Sequence, residues 1–190
     1  MLTNTQAKSY TLEEYRQLEE VSEFRSEYRN GEIIKMTGGT INHNCITVNI
    51  CTFLKFSLRG KNVVPFMSDL RLWIPQYRRG VYPDVMAIEG TPIFNEGRKD
   101  EVLNPVLIVE VLSPSTEDFD RENKFRFYRS IPELREYVLV DQSEFLVEHY
   151  LKNETGQWLF QEERGEAATV SFTSVGVQMS MSEIYEGVVF

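Results

Sequence analysis

Asp84 follows Pro83 directly and opens the apolar run "DVMAI", and Glu110 lies inside "PVLIVEVL" with Val, Ile and Leu on both sides. A strand of that composition is buried on both faces. Burying an ionised carboxylate without a partner is costly, so Glu110 needs a cation, a proton or strong hydrogen bonds. Asp84 meets the same problem at the head of its own strand. Taken singly, Asp84 reads as a turn cap and Glu110 as the partner of an arginine. Taken together, they ask for a shared explanation. If the two strands are neighbours, the acids converge at one end of a sheet and a divalent metal relieves both. Mg²⁺ suits such a place, because it accepts one or two carboxylates and keeps water or substrate phosphate in its other positions.

A lysine extends the constellation. Asp120, Lys124 and Tyr128 are spaced i, i+4, i+8 and line one helical stripe, with Arg121 close beside it. A helix following "EVLSPS" could direct Lys124 towards Glu110, where an ammonium acts as a point charge on a phosphate and its attacking water. The alternative is an ordinary surface Asp–Lys pair. Arg126 and Arg129 join Arg121 and Lys124 in a local basic cluster, spread over more than one helix face. Phe119, Phe125 and Phe127 read as core. His43 is expected to open a helix, where free N–H groups favour an anion such as phosphate; packing at the helix end is its other reading. His149 alternates within an outer strand and reads as structural. No G-x-S-x-G elbow is present, which argues against an acyl-transfer hydrolase.

These residues need elements to hold them. "TLEEYRQLEEV", residues 11–21, begins with Thr and has Glu in its first turn, the pattern of a capped helix. In "SEYRNGEIIKM", Asn30-Gly31 supplies the positive φ values of a tight hairpin. Residues 41–58 carry Ile41, Cys45, Val48, Ile50, Cys51, Leu54 and Leu58 at spacing compatible with a helix lying on a sheet. "NVVPFMSDLRLWIP" reads as a bent strand or two, with Asp69, Arg71 and Trp73 alternating against Leu70, Leu72 and Ile74. "YPDVMAIEG" and "PVLIVEVLS" are further strands, joined by a charged loop. "STEDFDRENKFRFYRSI" is helical and stopped by Pro132. "REYVLVD", "EFLVEHYL" and "QWLFQEE" form an antiparallel meander, and "SVGVQMSMSEIYEGVVF" adds a last strand and helical turn.

At 190 residues the chain is expected to form one domain, 1–190, burying roughly 70% of its extended surface. Cys45 and Cys51 share a helix about 9 Å apart, too far for a disulfide, and read as buried thiols. No apolar run approaches the ~20 residues of a membrane span and the N-terminus lacks a signal peptide's hydrophobic region, so a cytoplasmic protein is expected. The formal charge of −9 argues against a general nucleic-acid coat, and any polyanion must meet a local basic patch or a metal.

Pro83-Asp84, followed after a gap by an apolar strand carrying Glu110, resembles the PD-(D/E)XK, or restriction-endonuclease-like, nuclease superfamily. "NGEIIKM", His43, "YPDV", "VEVLSPST", the helix with Lys124 and Tyr128, and "LREYVLVD" are similar to the bacterial family of Uma-type endonucleases, a resemblance running from residue 10 to the C-terminus. It implies an α+β (mixed α/β) fold, with a restriction-endonuclease-like core: a central mixed sheet flanked by helices, an added N-terminal hairpin and C-terminal antiparallel strands. It also implies a homodimeric endonuclease using Mg²⁺ or Mn²⁺ to hydrolyse phosphodiesters of nucleic acid, DNA before RNA. Carried over by position, Asp84, Glu110 and the carbonyl of Val111 hold the metal, and Lys124 orients or activates the attacking water. Glu32 is an additional acid of the site or an exposed strand residue. His43, Arg121 and Tyr128 are expected at the substrate. The superfamily lysine normally stands two residues after the acid, where this chain has Leu112, so Lys124 must reach the same point from the helix. The missing lysine and the negative charge favour the rival reading, a non-catalytic dimeric binding or scaffold protein that keeps the nuclease fold.

Overall fold

The computed structural model describes residues 8–36, 38–113 and 119–190. Helix α1, Leu12–Val21, starts on a capping box: Thr11 Oγ1 accepts the Glu14 N–H at 3.1 Å and Glu14 Oε2 accepts the Thr11 N–H at 2.7 Å. Strands β1 (Ser26–Arg29) and β2 (Glu32–Lys35) form the expected hairpin, with φ of 49° at Asn30 and 104° at Gly31. Two positive φ values in succession are what a two-residue turn between twisted strands requires. Helix α2, Ile41–Ser57, is capped by Thr40. Strands β3 (Val63–Met67), β4 (Arg71–Ile74), β5 (Arg79–Val81), β6 (Val85–Glu89), β7 (Glu101–Val102) and β8 (Pro105–Leu112) follow. A π-helical turn, Phe119–Lys124, runs into the one-turn helix α3, Phe125–Tyr128. Strands β9 (Glu136–Asp141), β10 (Leu146–Lys152) and β11 (Trp158–Arg164) make the meander, and β12 (Thr169–Phe172), β13 (Val177–Ser180) and helix α4 (Met181–Ile184) complete the chain.

Two sheets matter for the site. One has six strands in the order β11-β10-β9-β8-β6-β3, with β8 and β9 parallel and the other pairs antiparallel. The other has the order β2-β1-β5-β4-β7. Residues alternate across the pleat of the larger sheet. Val85, Ala87, Leu107, Val109, Val111, Val138 and Val140 pack on one face against Ile46, Ile50 and Leu54 of α2 and its C-cap Leu58. Met86, Ile88, Ile108, Leu112, Tyr137 and Leu139 pack on the opposite face, under Phe127 and Tyr128 of α3 and Leu72 and Ile74 of β4. All eight residues of β8 are therefore buried, as its unbroken apolar run implies. Glu110 falls on the α3 side by parity.

Several sequence expectations need correction. The buried stripe of α2 is Ile46, Ile50 and Leu54, continued by the C-cap Leu58 in a strict i+4 row, whereas Ile41 and Val48 are 80% and 49% exposed. Cys45 and Cys51 are free thiols, half-buried beside that row. The region 63–74 is two strands in different sheets, and the polar–apolar alternation of β4 does not separate inside from outside. All four of its residues are buried, Arg71 among them, because the Arg71 guanidinium meets Glu19, Glu101 and the Tyr82 hydroxyl. Among the described residues, the helix expected over 115–131 occupies 119–128, and residues 115–118 lie outside the described residues. Among the described residues, no helix is long and apolar enough to cross a membrane.

Candidate active site

Register brings the two acids together. β6 and β8 are antiparallel neighbours with Val85 opposite Val109, so Asp84, one step before β6, comes level with Glu110. The Val111 N–H donates to Asp84 Oδ2 at 2.8 Å. In an extended strand the N–H and C=O of one residue leave the same edge, so the Val111 carbonyl is directed to Asp84's side. His43, in the first turn of α2, places Nε2 3.1 Å from the same Oδ2. His43 Nε2 is thus engaged by an acid.

On the α3 side, Lys124 Nζ lies 3.1 Å from Glu110 Oε1 and 2.9 Å from Asp120 Oδ1. The Tyr128 hydroxyl donates to Glu110 Oε1 at 2.6 Å. The helical segment after β8 therefore brings its lysine to the strand's acid, as the i, i+4, i+8 spacing suggests. Leu112, at the position where the superfamily carries lysine, is buried in the core. Asp120 is fixed by its own backbone, whose carbonyl accepts the Tyr137 hydroxyl at 3.1 Å.

A cavity of about 480 Å³ opens onto Asp84, Glu110, Asp120, Lys124 and His43, and its further wall includes Glu27, Arg29 and Gln142. Burial pushes the Glu110 carboxyl up to about 8; the charges of Asp84 and Asp120 act in the same direction, against Lys124 and Tyr128. Burial alone would lower Lys124, but the Glu110 and Asp120 carboxylates outweigh it and hold the ammonium charged. His43 is likewise pulled down by burial and raised on balance by the hydrogen bond and charge of Asp84. The Tyr128 hydroxyl is pushed well above its ordinary range by burial and by Glu110, so it remains a donor.

The donor atoms fit a hard cation. Glu110 Oε2 and Asp84 Oδ1 accept no hydrogen bond from any described residue, while their partner oxygens are fully engaged. Three acids, Asp84, Glu110 and Asp120, border the cavity alongside the Lys124 ammonium. Among the described residues, no group of three or more His, Cys, Asp or Glu side chains converges as a metal-binding cage. Two carboxylates, a carbonyl and retained water make a set that matches Mg²⁺ better than Zn²⁺.

The remaining expected residues lie elsewhere or act differently. Glu32 is exposed at the turn end of the hairpin, opposite Arg29 and outside the cavity. Arg121 crosses to β10, its Nε 3.0 Å from Glu148 Oε2, because the π-helical turn directs it away from the cavity. Tyr128 is buried and holds Glu110, so it does not face substrate. The expected basic patch is dispersed. Lys124 is enclosed, Arg126 lies 6.0 Å from the Tyr77 ring centre, and Arg129 lies 5.8 Å from that of Phe125. Glu27 on β1 went unmarked in the sequence, although strand alternation with Tyr28, which packs on Tyr15 and Trp73, already places Glu27 and Arg29 together on the other face.

A mixed sheet with an aspartate and a glutamate at the same end of adjacent strands, and a lysine against the glutamate, defines the restriction-endonuclease-like class. The same fold occurs in the crystal structure of "a putative nuclease belonging to DUF820" from Anabaena variabilis ATCC 29413, with a TM-score of 0.77 at 19% identity, covering 95% of this chain and 99% of that one. The chain belongs to the Uma2 family, described as "Putative restriction endonuclease", which matches residues 12–182. It is 43% identical over 173 residues to uncharacterized protein sll1609 of Synechocystis sp., covering 91% of this chain and 98% of that protein. It is 36% identical over 180 residues to uncharacterized protein slr1290 of the same organism, covering 94% and 92%. Family and fold support a nuclease.

Proposed function

We propose that the protein is a Mg²⁺- or Mn²⁺-dependent endonuclease that hydrolyses phosphodiester bonds of DNA, working as a homodimer. One observation carries this reading: an unclaimed oxygen on Asp84 and another on Glu110, on adjacent strands bordering one cavity, with the charged Lys124 pinned between Glu110 and Asp120. Asp84, Glu110 and the Val111 carbonyl would hold the cation. When bound, it would polarise a phosphoryl oxygen and offset the charge gathering there. Tyr128 and Lys124 keep Glu110 in place, and His43 with the Val111 N–H keeps Asp84 in place. Lys124 carries its full complement of protons, so it orients water and phosphate and does not deprotonate them.

The test is cleavage of plasmid and of labelled oligonucleotides in Mg²⁺ or Mn²⁺. Activity is expected in the wild type and absent in Asp84→Ala and Glu110→Ala; cleavage persisting in both variants would remove the enzyme. Cation binding is followed separately as a rise in Tm that Asp84→Ala abolishes. The dimer rests on the resemblance, and a monomer in sedimentation velocity would remove it. The charge of −9 and the pairing of Arg121 with Glu148 favour a second reading, a binding protein without chemistry. Wild-type protein that neither gains stability from Mn²⁺ nor cuts would select it.

A further inference from the structure

A hydrolase at this cavity needs a group to take the proton of the attacking water, and most of the residues already placed are committed to other contacts. The Lys124 ammonium lies between two carboxylates and has no free lone pair. His43 Nε2 is committed to Asp84, the Tyr128 hydroxyl to Glu110, and the Tyr82 hydroxyl to Arg71 and Glu19. Asp120 is buried more deeply than Glu27, 2% exposed against 8%, and its Oδ1 lies 2.9 Å from the Lys124 ammonium without a hydrogen bond.

Glu27 is different. It comes from the smaller sheet, where the β1–β5 register sets Tyr28 opposite Gly80 and Arg29 opposite Arg79. One step further places Glu27 level with Val81, three residues before Asp84. Its Oε2 is clamped by Arg29, from Nε at 3.1 Å and from a terminal nitrogen at 2.8 Å. Its Oε1 accepts no hydrogen bond from a described residue. The side chain is largely buried, lines the same cavity as Asp84, Glu110 and Lys124, and its charge acts on Lys124. A carboxylate in the cavity wall with one oxygen fixed by Arg29 and the other without a hydrogen bond from a described residue is available to accept a proton.

We propose that Glu27 is the general base of the phosphodiester hydrolysis, an assignment that rests on the endonuclease reading above. The water oxygen forms its bond to phosphorus as one water proton passes to Glu27 Oε1. The bond from phosphorus to the leaving ester oxygen breaks, and that oxygen takes a proton from solvent. No electron donor or acceptor is involved. Arg29 is then a positioning residue that turns the carboxylate into the cavity.

The test compares wild type, Glu27→Gln and Glu27→Asp with an oligonucleotide substrate in Mg²⁺. It is paired with the Mn²⁺ concentration at which each protein's Tm rise is half complete. Glu27→Gln is expected to lower kcat by about 10²–10⁴-fold, with KM and the Mn²⁺ midpoint unchanged and the acid limb of the rate–pH profile lost. Glu27→Asp, one methylene shorter, keeps the limb and loses at least about tenfold in kcat; it decides alone if the Gln variant does not fold. A kcat within about fivefold of wild type in Glu27→Gln overturns the assignment, as does a large shift of the Mn²⁺ midpoint, which would make Glu27 a cation ligand. Wild-type protein that cuts while Asp84→Ala does not, combined with an active Glu27→Gln, sinks this inference alone. Wild-type protein that never cuts sinks the function and the base with it.

Discussion

His149 should make the protein lose stability as the solution turns alkaline. It sits on β10, buried, with Nδ1 3.2 Å from Glu136 Oε1 on β9 and Nε2 3.2 Å from Glu163 Oε2 on β11, the second contact off the line of a good hydrogen bond. Glu136 is itself anchored by the N–H groups of Thr173 and Ser174. Burial pulls the imidazole down, but the hydrogen bond to Glu136 and the close Glu163 and Glu136 carboxylates outweigh it and push it up to about 9 from an ordinary 6.5. The folded chain therefore holds a proton that the unfolded chain releases. The stabilisation is complete below pH 6.5 and disappears as pH rises through about 9, and it is worth about 3 kcal/mol. For a chain of this length that is about 6–12 °C in Tm. Glu110, whose carboxyl is also raised, contributes a loss of the same sign that accumulates above about pH 4.5 and is complete by about pH 8. His149→Gln separates the two, since the variant keeps Glu110 and has no imidazole. Thermal melts of both proteins at pH 6 and 9.5 should show the wild type's advantage shrinking by most of that amount. An advantage that stays the same to within about 2 °C would refute the reasoning.

Lys124→Met leaves Glu110 and Asp120 buried without their cation, and is expected to cost about 3–5 kcal/mol in calorimetry without metal and to abolish cleavage. Arg71→Met removes one of the two arginines on the fully buried Glu101, which keeps Arg16, and the cation from Glu19, so a smaller loss of about 1–3 kcal/mol in urea unfolding is expected. Tyr128→Phe removes the 2.6 Å bond to Glu110 and should lower stability by about 1–3 kcal/mol in urea unfolding. Glu32→Gln, outside the cavity, should leave cleavage intact and stability within about 0.5 kcal/mol of wild type.

What could be read from the sequence was whatever a local pattern determines. Thr11 with Glu14 marks a helix start, Asn30-Gly31 marks a turn, and an unbroken apolar run around Glu110 marks a strand covered on both sides. The meeting of Asp84 with Glu110 followed from supposing their strands adjacent, and the register makes them so. Glu27 escaped because nothing within its own strand separates it from Glu32, which shares its face. Only the pairing of β1 with β5, set by residues fifty positions away, decides which acid reaches the cavity. Arg71 escaped for a related reason: its three partners come from α1, β7 and the residue after β5, so an alternating pattern hid a buried cation. The row on α2 was blurred because Ile41 and Val48 are as apolar as Ile46, and only contact with the sheet distinguishes them.

The wide turn over Phe119–Lys124 has a consequence for how such a centre can change over generations. Because the ammonium is delivered by a short coil rather than by the strand bearing the acid, a single-residue insertion or deletion there would rotate it away from Glu110 while every rung of the sheet stayed in place. Loss of chemistry there would leave the strand pairing intact but would carry the cost of a buried Glu110 without its cation. Position 112 meanwhile remains free to be leucine, serving the interior alone.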